Sequence, residues 1–134
     1  MGPCPHCGKQ PKLKPDSRHL YGGRDFGPVW ECECGARCGC HKGTNKPLGT
    51  VADAATRKAR NDAHAWFDQL WQDKRVFQSR REAYAWLQTQ MFMTKKECHI
   101  AKMDIDQCKR VCELAKAKNP LLAVLGKEFQ ELLS

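Results

Sequence analysis

Thiols constrain this chain more than any other feature. Cys4 and Cys7 stand in CPHCG, and Cys32, Cys34, Cys38 and Cys40 crowd into ECECGARCGCH, which ends at His41. Between and around them the chain has little to bury. Leu13, Leu20, Tyr21, Phe26, Val29 and Trp30 are the core material of residues 1–49, and Gly and Pro interrupt them at short intervals. So small an apolar set does not hold a segment of this size alone, and a bound ion is the expected internal staple.

Zn²⁺ takes four ligands in a tetrahedron and favours thiolates. Cys4-x-x-Cys7-Gly8 is a zinc knuckle: two intervening residues let both sulfurs reach one ion, and the glycine frees backbone N–H groups to approach them. The second half is less determined. Cys32-x-Cys34-Gly35 is a knuckle one residue short, while Cys34-x3-Cys38 and Cys38-x-Cys40 also pair on paper. Cys4, Cys7, Cys32 and Cys34 form the first set. Cys40 or Cys38 in place of Cys32 or Cys34 is the variant. One structural Zn²⁺ is expected. His6 and His41 read as flanking residues, and Cys98, Cys108 and Cys112 as small buried side chains at helical spacing.

The alternatives for so many thiols fall away. A redox CxxC wants a helix to open and a thioredoxin-like strand before it, and neither surrounds Cys4. Disulfides belong to secreted chains; MGPCPHCGK has no hydrophobic stretch, so thiolate ligation in a reducing cytoplasm is expected. No run of apolar residues is long enough to span a membrane. HExxH, the deaminase HxE with PCxxC, the P-loop and GxSxG are all missing. The expectation is a protein that is not an enzyme.

The sheet part should be small. Leu20–Tyr21 and Val29–Trp30 read as two short strands, with residues 22–27 turning between them. The loop His41-Lys-Gly-Thr-Asn-Lys-Pro-Leu-Gly-Thr50 follows the cysteines. Its lysines, hydroxyls and backbone N–H groups suit a phosphate, so Lys42, Thr44, Asn45 and Lys46 are candidate nucleic-acid contacts, together with Arg24. Trp30, Tyr21 and Arg24 are a candidate stacking face for unpaired bases, although Trp30 also suits packing on the knuckle. The chain carries 23 Lys+Arg against 15 Asp+Glu, a net charge of +8. That excess favours phosphate-bearing partners. It lies in residues 1–49 and 79–118.

From Thr50 the texture is helical. Thr50/Asp53, Ser79/Glu82, Thr94/Glu97 and Asp104/Gln107 each have the spacing of a capping box. Helices are expected over Val51–Trp71, Arg80–Met91, Lys95–Ala101 and Ile105–Lys116. In the first, Ala52, Ala55, Ala59, Ala63, Trp66, Phe67 and Leu70 form the buried stripe, with Arg57, Lys58, Arg60, Asn61 and Asp68 off it. Asn119-Pro120 stops the fourth. The tail, residues 119–134, is a further amphipathic candidate whose Leu121, Leu125, Phe129 and Leu132 read as core or as partner anchors. The fold class is therefore α+β: a zinc ribbon with short hairpin strands (1–49), followed by a bundle of four to five helices made of a helical module (50–118) and a C-terminal amphipathic helix (119–134).

The run Tyr21-Gly-Gly-Arg-Asp-Phe-Gly-Pro-Val-Trp30, then Gly39-Cys-His-Lys-Gly-Thr-Asn-Lys-Pro-Leu-Gly-Thr50, then Ala63-His-Ala-Trp-Phe-Asp-x2-Trp71 resembles the phage-type zinc-finger-containing domain family of unknown function. Cys98-His99-Ile100 and Cys108-Lys109-Arg110-Val111 extend the likeness over residues 4–115. The resemblance implies a phage or prophage origin, a zinc ribbon and a helical remainder. It also implies CxxC in the second knuckle, where this chain has Cys32-x-Cys34, and a non-cysteine where Cys38 stands. Two functions fit. One is a zinc-binding accessory protein contacting nucleic acid in DNA recombination, replication or transcription. The other is a modulator that binds a host protein such as a nuclease-helicase or RNA polymerase.

Overall fold

Pro11 and Pro15 bracket a three-residue strand, β1 (Lys12–Lys14), which pairs antiparallel with β2 (Val29–Glu31). β2 pairs in turn with β3 (Arg37–Gly39), giving the order β1-β2-β3. The computed structural model describes residues 1–72, 74 and 76–119. Leu13, Trp30 and Cys38 face one another across the sheet. Beyond β3 the chain turns at residues 41–46 and returns, and Val51 and Ala52 come back to the sheet edge, where Ala52 and Arg37 exchange both backbone bonds at 2.9 and 3.0 Å.

Contacts divide the chain into two compact units, Met1–Lys58 and the described residues from Ala59 on. Among the described residues there are three α-helices: α1 (Ala54–Gln72), α2 (Arg80–Met91) and α3 (Ile105–Lys118). The four to five helices expected from the sequence are thus too many, and residues 120–134, with the candidate C-terminal helix, lie outside the described set. The segment expected as a helix over Lys95–Ala101 is a single turn followed by a 3-10 turn, Ile100–Lys102. Its capping box is real: Glu97 N–H donates to the Thr94 hydroxyl at 3.3 Å, and the Glu97 carboxylate accepts from Thr94 N–H at 3.2 Å. A box satisfies the donors of a first turn and does not by itself propagate a helix. Here Cys98 and Ile100 turn into the core immediately after it, both fully buried.

Two of the other three boxes do start helices. The Ser79 hydroxyl accepts from Glu82 N–H at 3.2 Å at the head of α2. Asp104 and Gln107 satisfy each other reciprocally at the head of α3, at 2.8 and 3.0 Å. At α1 the cap is Asp53, whose carboxylate accepts from Thr56 N–H at 2.8 Å. Thr50 does not fill that role, because Val51 and Ala52 are held in the sheet edge and the helix begins only after them.

The helical core consists of Ala63, Phe67 and Leu70 from α1, Phe77, Ala83 and Leu87 around α2, Cys98, Ile100 and Met103 from the turn, and Cys108, Val111 and Ala115 from α3. Burying each of Phe67, Leu70 and Leu87 contributes about 2 to 3 kcal/mol. Cys98 and Cys108 are inert members of it, since burial pushes both thiols up to about 11. Two residues contradict the expected stripe: Ala55 is exposed, and Arg60 is buried. Arg60 is only 9% exposed and donates Nε–H to the Met103 carbonyl at 2.8 Å. It extends the stripe Arg60, Ala63, Phe67, Leu70, and its hydrogen bond is what makes a buried guanidinium tolerable there.

The Asp104 box generates a stability test. Asp104→Ala should lower stability by about 1 kcal/mol, read as a fall in melting temperature of several degrees by circular dichroism. Asp106→Ala, in the same turn but outside the box, should change it by only about 0.3 kcal/mol.

Candidate metal centre

Two short backbone loops bring four sulfurs together. In the first, Cys4 accepts at its carbonyl from Gly8 N–H (2.9 Å) and donates its own N–H to the Lys9 carbonyl (2.8 Å). In the second, Cys32 accepts from Gly35 N–H (2.9 Å) and donates to the Ala36 carbonyl (2.8 Å). The closure is the same with one residue fewer. Gly8 and Gly35 both adopt positive φ, 78° and 93°, which is where each loop reverses and where a side chain would be strained. So Cys32-x-Cys34 does the work of a CxxC.

The Sγ atoms of Cys4, Cys7, Cys32 and Cys34 all lie within 4.8 Å of one another. Cys4 and Cys34 are 3.7 Å apart, Cys7 and Cys32 3.2 Å. Four sulfurs at about 2.3 Å from one zinc in a tetrahedron stand about 3.8 Å apart. The set therefore fits one structural zinc ion. Four protein sulfurs fill the tetrahedron and leave no position for water or substrate, the composition of a structural site.

Local electrostatics prepare this set for a cation. Burial works to raise the Cys4 thiol, but the N–H groups of His6 and Cys7 and the sulfurs of Cys34 and Cys32 outweigh it and bring it down to about 7. The His6 N–H stands 3.4 Å from that sulfur. At Cys32 the Cys34 N–H pulls down, yet the Cys7 sulfur and burial together leave the thiol above its ordinary value. Cys34 is likewise raised, the Ala36 N–H being outweighed by burial and the other sulfurs. Four adjacent thiols do not all ionise unless a cation sits among them.

The model of a zinc-finger-containing domain matches residues 1–118. The chain belongs to that family. No curated protein and no solved structure matched it. The family assignment and the four-sulfur geometry converge on zinc, with Cys4, Cys7, Cys32 and Cys34 fitting one structural ion. Cys38 and Cys40 stand outside the group. Cys38 lies in β3 opposite Trp30 and packs on the small core of Cys4, Cys32, Ala36 and Val51. Cys40 pairs with Pro47 where the chain returns, and burial raises its thiol. Of the two histidines, His6 is engaged elsewhere: its Nε2 accepts from Asp53 N–H at 3.3 Å, at the head of α1. His41 is exposed in the loop.

Around the centre, the expected strand at Leu20–Tyr21 is instead a stack of turns, with Leu20, Tyr21 and Gly23 bonded back to Ser17 and Arg18. β1 takes its place as the partner of β2. A strand of one Leu between two lysines carries no readable alternation. The Ser17–Gly27 loop is pinned from inside. The Asp25 carboxylate accepts from Gly27 N–H at 2.8 Å and Ser17 N–H at 3.3 Å, which holds it below the ordinary carboxylate range, and the buried Ser17 hydroxyl accepts from Phe26 N–H at 2.8 Å. This arrangement pushes Phe26 outward, 70% exposed, against its expected place in the core. Tyr21, 42% exposed, meets it edge to face at 5.0 Å, and the Arg37 guanidinium stands 5.4 Å from the Tyr21 ring centre. The signal for Phe26 was in the sequence: an aromatic between Gly22-Gly23 and Gly27-Pro28 is held by a turn, not by a strand.

The lysine loop is stiffer than the sequence suggested. His41 N–H bonds the Lys46 carbonyl (2.9 Å), Thr44 N–H bonds the His41 carbonyl (3.0 Å), and Lys46 N–H reaches the Thr44 hydroxyl (3.2 Å). The Trp30 indole donates to the Asn45 carbonyl at 2.9 Å. Those N–H groups and the Thr44 hydroxyl serve the loop itself and are not an open anion cradle. The side chains of Lys42 and Lys46 are exposed, as is Arg24.

Metal analysis separates the two ligand sets. Purified protein should hold about one zinc per chain. Cys7→Ser and Cys34→Ser should each weaken zinc retention against a competing chelator at least roughly tenfold, while Cys38→Ser and Cys40→Ser keep the wild-type stoichiometry. Loss of zinc in Cys40→Ser would overturn the four-sulfur set. Zinc removal should unfold residues 1–58 and leave most of the helical circular-dichroism signal, because the helical core contains none of the four ligands.

Proposed function

We propose that this is a non-enzymatic, phage-encoded accessory protein of the bacterial cytoplasm that contacts single-stranded nucleic acid through its zinc unit, in DNA recombination, replication or transcription. The observation that carries the reading is the displayed aromatic pair. Phe26 and Tyr21 are exposed on a loop pinned by its own hydrogen bonds, beside Arg37 and in the same turn stack as Arg24. Every base has a π-face, so stacking on such a pair tolerates any sequence, while cations hold the backbone. Arg57 adds to the positive field: burial and the nearby Arg37 charge both depress its guanidinium, and it donates to the Ala52 carbonyl at 2.7 Å. Lys42 and Lys46 supply exposed charge on a preformed loop, with Thr44 and Asn45 shaping it. The closed four-sulfur site supports a scaffold role for zinc, with no chemistry of its own.

A second reading is a helical unit that docks on a host protein such as a nuclease-helicase or RNA polymerase. One observation favours it: Phe92, the left-handed cap of α2 at φ 54°, is 96% exposed. The other anchors considered, Leu121, Leu125, Phe129 and Leu132, lie outside the described residues.

Fluorescence anisotropy with a labelled single strand tests the first reading. Phe26→Ala should weaken binding about tenfold, the size of one lost base stack. Affinity should fall steeply between about 50 and 200 mM salt, and Lys46→Gln should reduce the salt slope by about one. Binding that ignores both salt and Phe26 sinks it. Recovery from nuclease-treated lysate of a stoichiometric protein partner that Phe92→Ala abolishes would favour the second.

A further inference from the structure

α2 and the Thr94 turn enclose a cleft of about 390 Å³. Arg80, Tyr84 and Gln88 line it from one face of α2, at successive spacings of four, with Arg81 beside them. Lys95, Cys98 and His99 line it from the turn. Cys98-His99-Ile100 is one of the elements in which this sequence resembles its family, and nothing in the zinc unit accounts for it. Ile100 serves the core, fully buried, but His99 is exposed on the cleft side.

The lining has a definite polarity. Among the described lining residues three are permanent cations and none is acidic. The floor is neutral: the Cys98 thiol is buried and protonated, and the Tyr84 ring is fixed from behind by Phe67, edge to face at 4.7 Å. Arg80 lies over Tyr84 with its guanidinium 4.8 Å from the ring centre. A planar cation spread on an aromatic ring presents a flat face as well as N–H donors. Gln88 adds an amide that both donates and accepts.

Stacking on Tyr84 accounts for Arg80, while Arg81 and Lys95 are exposed cations on the cleft rim. Arg80 and Arg81 occupy the first turn of a helix, the positive end of its dipole, where cations are disfavoured. Glu82 in that turn is already used, its carboxylate accepting from Gln78 N–H at 3.0 Å. An anion in the cleft would meet Arg80, Arg81 and Lys95 together and offset the unfavourable placement of cations at a helix start.

We propose that this cleft binds a nucleotide: a phosphate ester held by Arg80, Arg81 and Lys95, with its base against the flat Arg80–Tyr84 surface and in reach of Gln88. The volume matches a small ligand pocket rather than a protein groove. The site is separate from the aromatic pair of the zinc unit and does not depend on the reading given to that pair. Its ligand is either a free 5′-mononucleotide or one nucleotide unit of a single strand, and the chemistry of recognition is common to both.

The test uses full-length, zinc-loaded protein and amide NMR shifts on titration with adenosine 5′-monophosphate, adenosine, inorganic phosphate and a six-residue oligodeoxynucleotide. The monophosphate should give saturable shifts confined to residues 80–88 and 95–99, and should bind at least tenfold more tightly than adenosine or phosphate alone. Arg81→Gln and Lys95→Gln, both exposed positions, should each weaken it at least threefold, and together at least tenfold, at unchanged melting temperature. An oligonucleotide binding the cleft at least tenfold more tightly than the monophosphate identifies the strand as source; comparable affinity identifies the free nucleotide. Phe26→Ala should leave the monophosphate affinity unchanged, so failure of the zinc-unit reading and failure of this one are distinguishable. Absence of saturable shifts with any nucleotide overturns the proposal. So does an unaltered affinity in the double variant, or equal displacement by a short poly-aspartate peptide, which would make the cleft a site for acidic protein segments.

Discussion

Four sulfurs meeting at one point is the condition under which residues 1–58 form a structure. The buried apolar residues there that are not ligands are few, chiefly Val29, Ala36, Val51 and Ala52, and the cluster around the sulfurs is Cys4, Cys32, Ala36 and Val51. Half of that cluster is the metal site itself. A structural zinc contributes on the order of 10 kcal/mol of apparent binding free energy to such a unit, more than these small side chains supply by burial. The rest follows from the knuckles. The first precedes β1, the second joins β2 to β3, and His6 of the first reaches the Asp53 N–H at the head of α1. The one ion pair between knuckles, Lys9 with Glu33 at 2.8 Å, is solvent-exposed and adds little.

The shortened second knuckle shows how the same physics tolerates a missing residue. What must be conserved in such a loop is a reversal that returns the N–H of the first cysteine to a carbonyl just past the second, with a glycine in the left-handed region. Cys32 does this with Ala36 and Cys4 with Lys9. Spacing alone therefore undervalued CxC, while of the two cysteines attractive by count Cys38 is a strand residue and Cys40 bridges to Pro47. In the sequence they looked like ligands because cysteine in a cysteine cluster invites that reading. In the structure Cys38 packs on the cluster from the sheet, and the chain beyond it is already turning back.

What was legible follows the strength of the local signal. α2 starts and stops where its Ser79 cap and its periodicity put it, and α3 begins at the Asp104 box. Phe67, Leu70, Ala83, Leu87, Cys108 and Val111 are buried as their spacing indicates. The illegible parts were those where two local signals compete. Thr94-Lys-Lys-Glu97 reads as a helix start, but burial of Cys98, Ile100 and Met103 requires the chain to leave the helical path at once. Arg60 sits at a position its charge argues against, and a hydrogen bond to the Met103 carbonyl, distant in sequence, helps to hold it there. β1 is the extreme case. Its three residues acquire strand geometry from pairing with β2, not from any preference of their own.

The two candidate binding surfaces share a physical character that the folded cores lack. Phe26 is apolar and displayed by a loop built to display it, with Ser17 and Asp25 consumed in fixing its backbone. Arg80 and Arg81 are cations placed at the end of a helix that repels them. Each gains only a ring contact within the protein, and both are held by well-satisfied surroundings: the turn stack in one case, the Ser79 cap and the Phe67–Tyr84 contact in the other. Rigid support around an unfavourable side chain keeps it preorganised, so that little ordering entropy remains to be lost when a ligand arrives. A phosphate with an attached base would resolve both anomalies at once, supplying a stacking partner for an exposed ring and a counter-charge for crowded guanidinium groups. Under the two proposals, the zinc unit and the helical unit would take the same class of ligand without having to bind the same molecule.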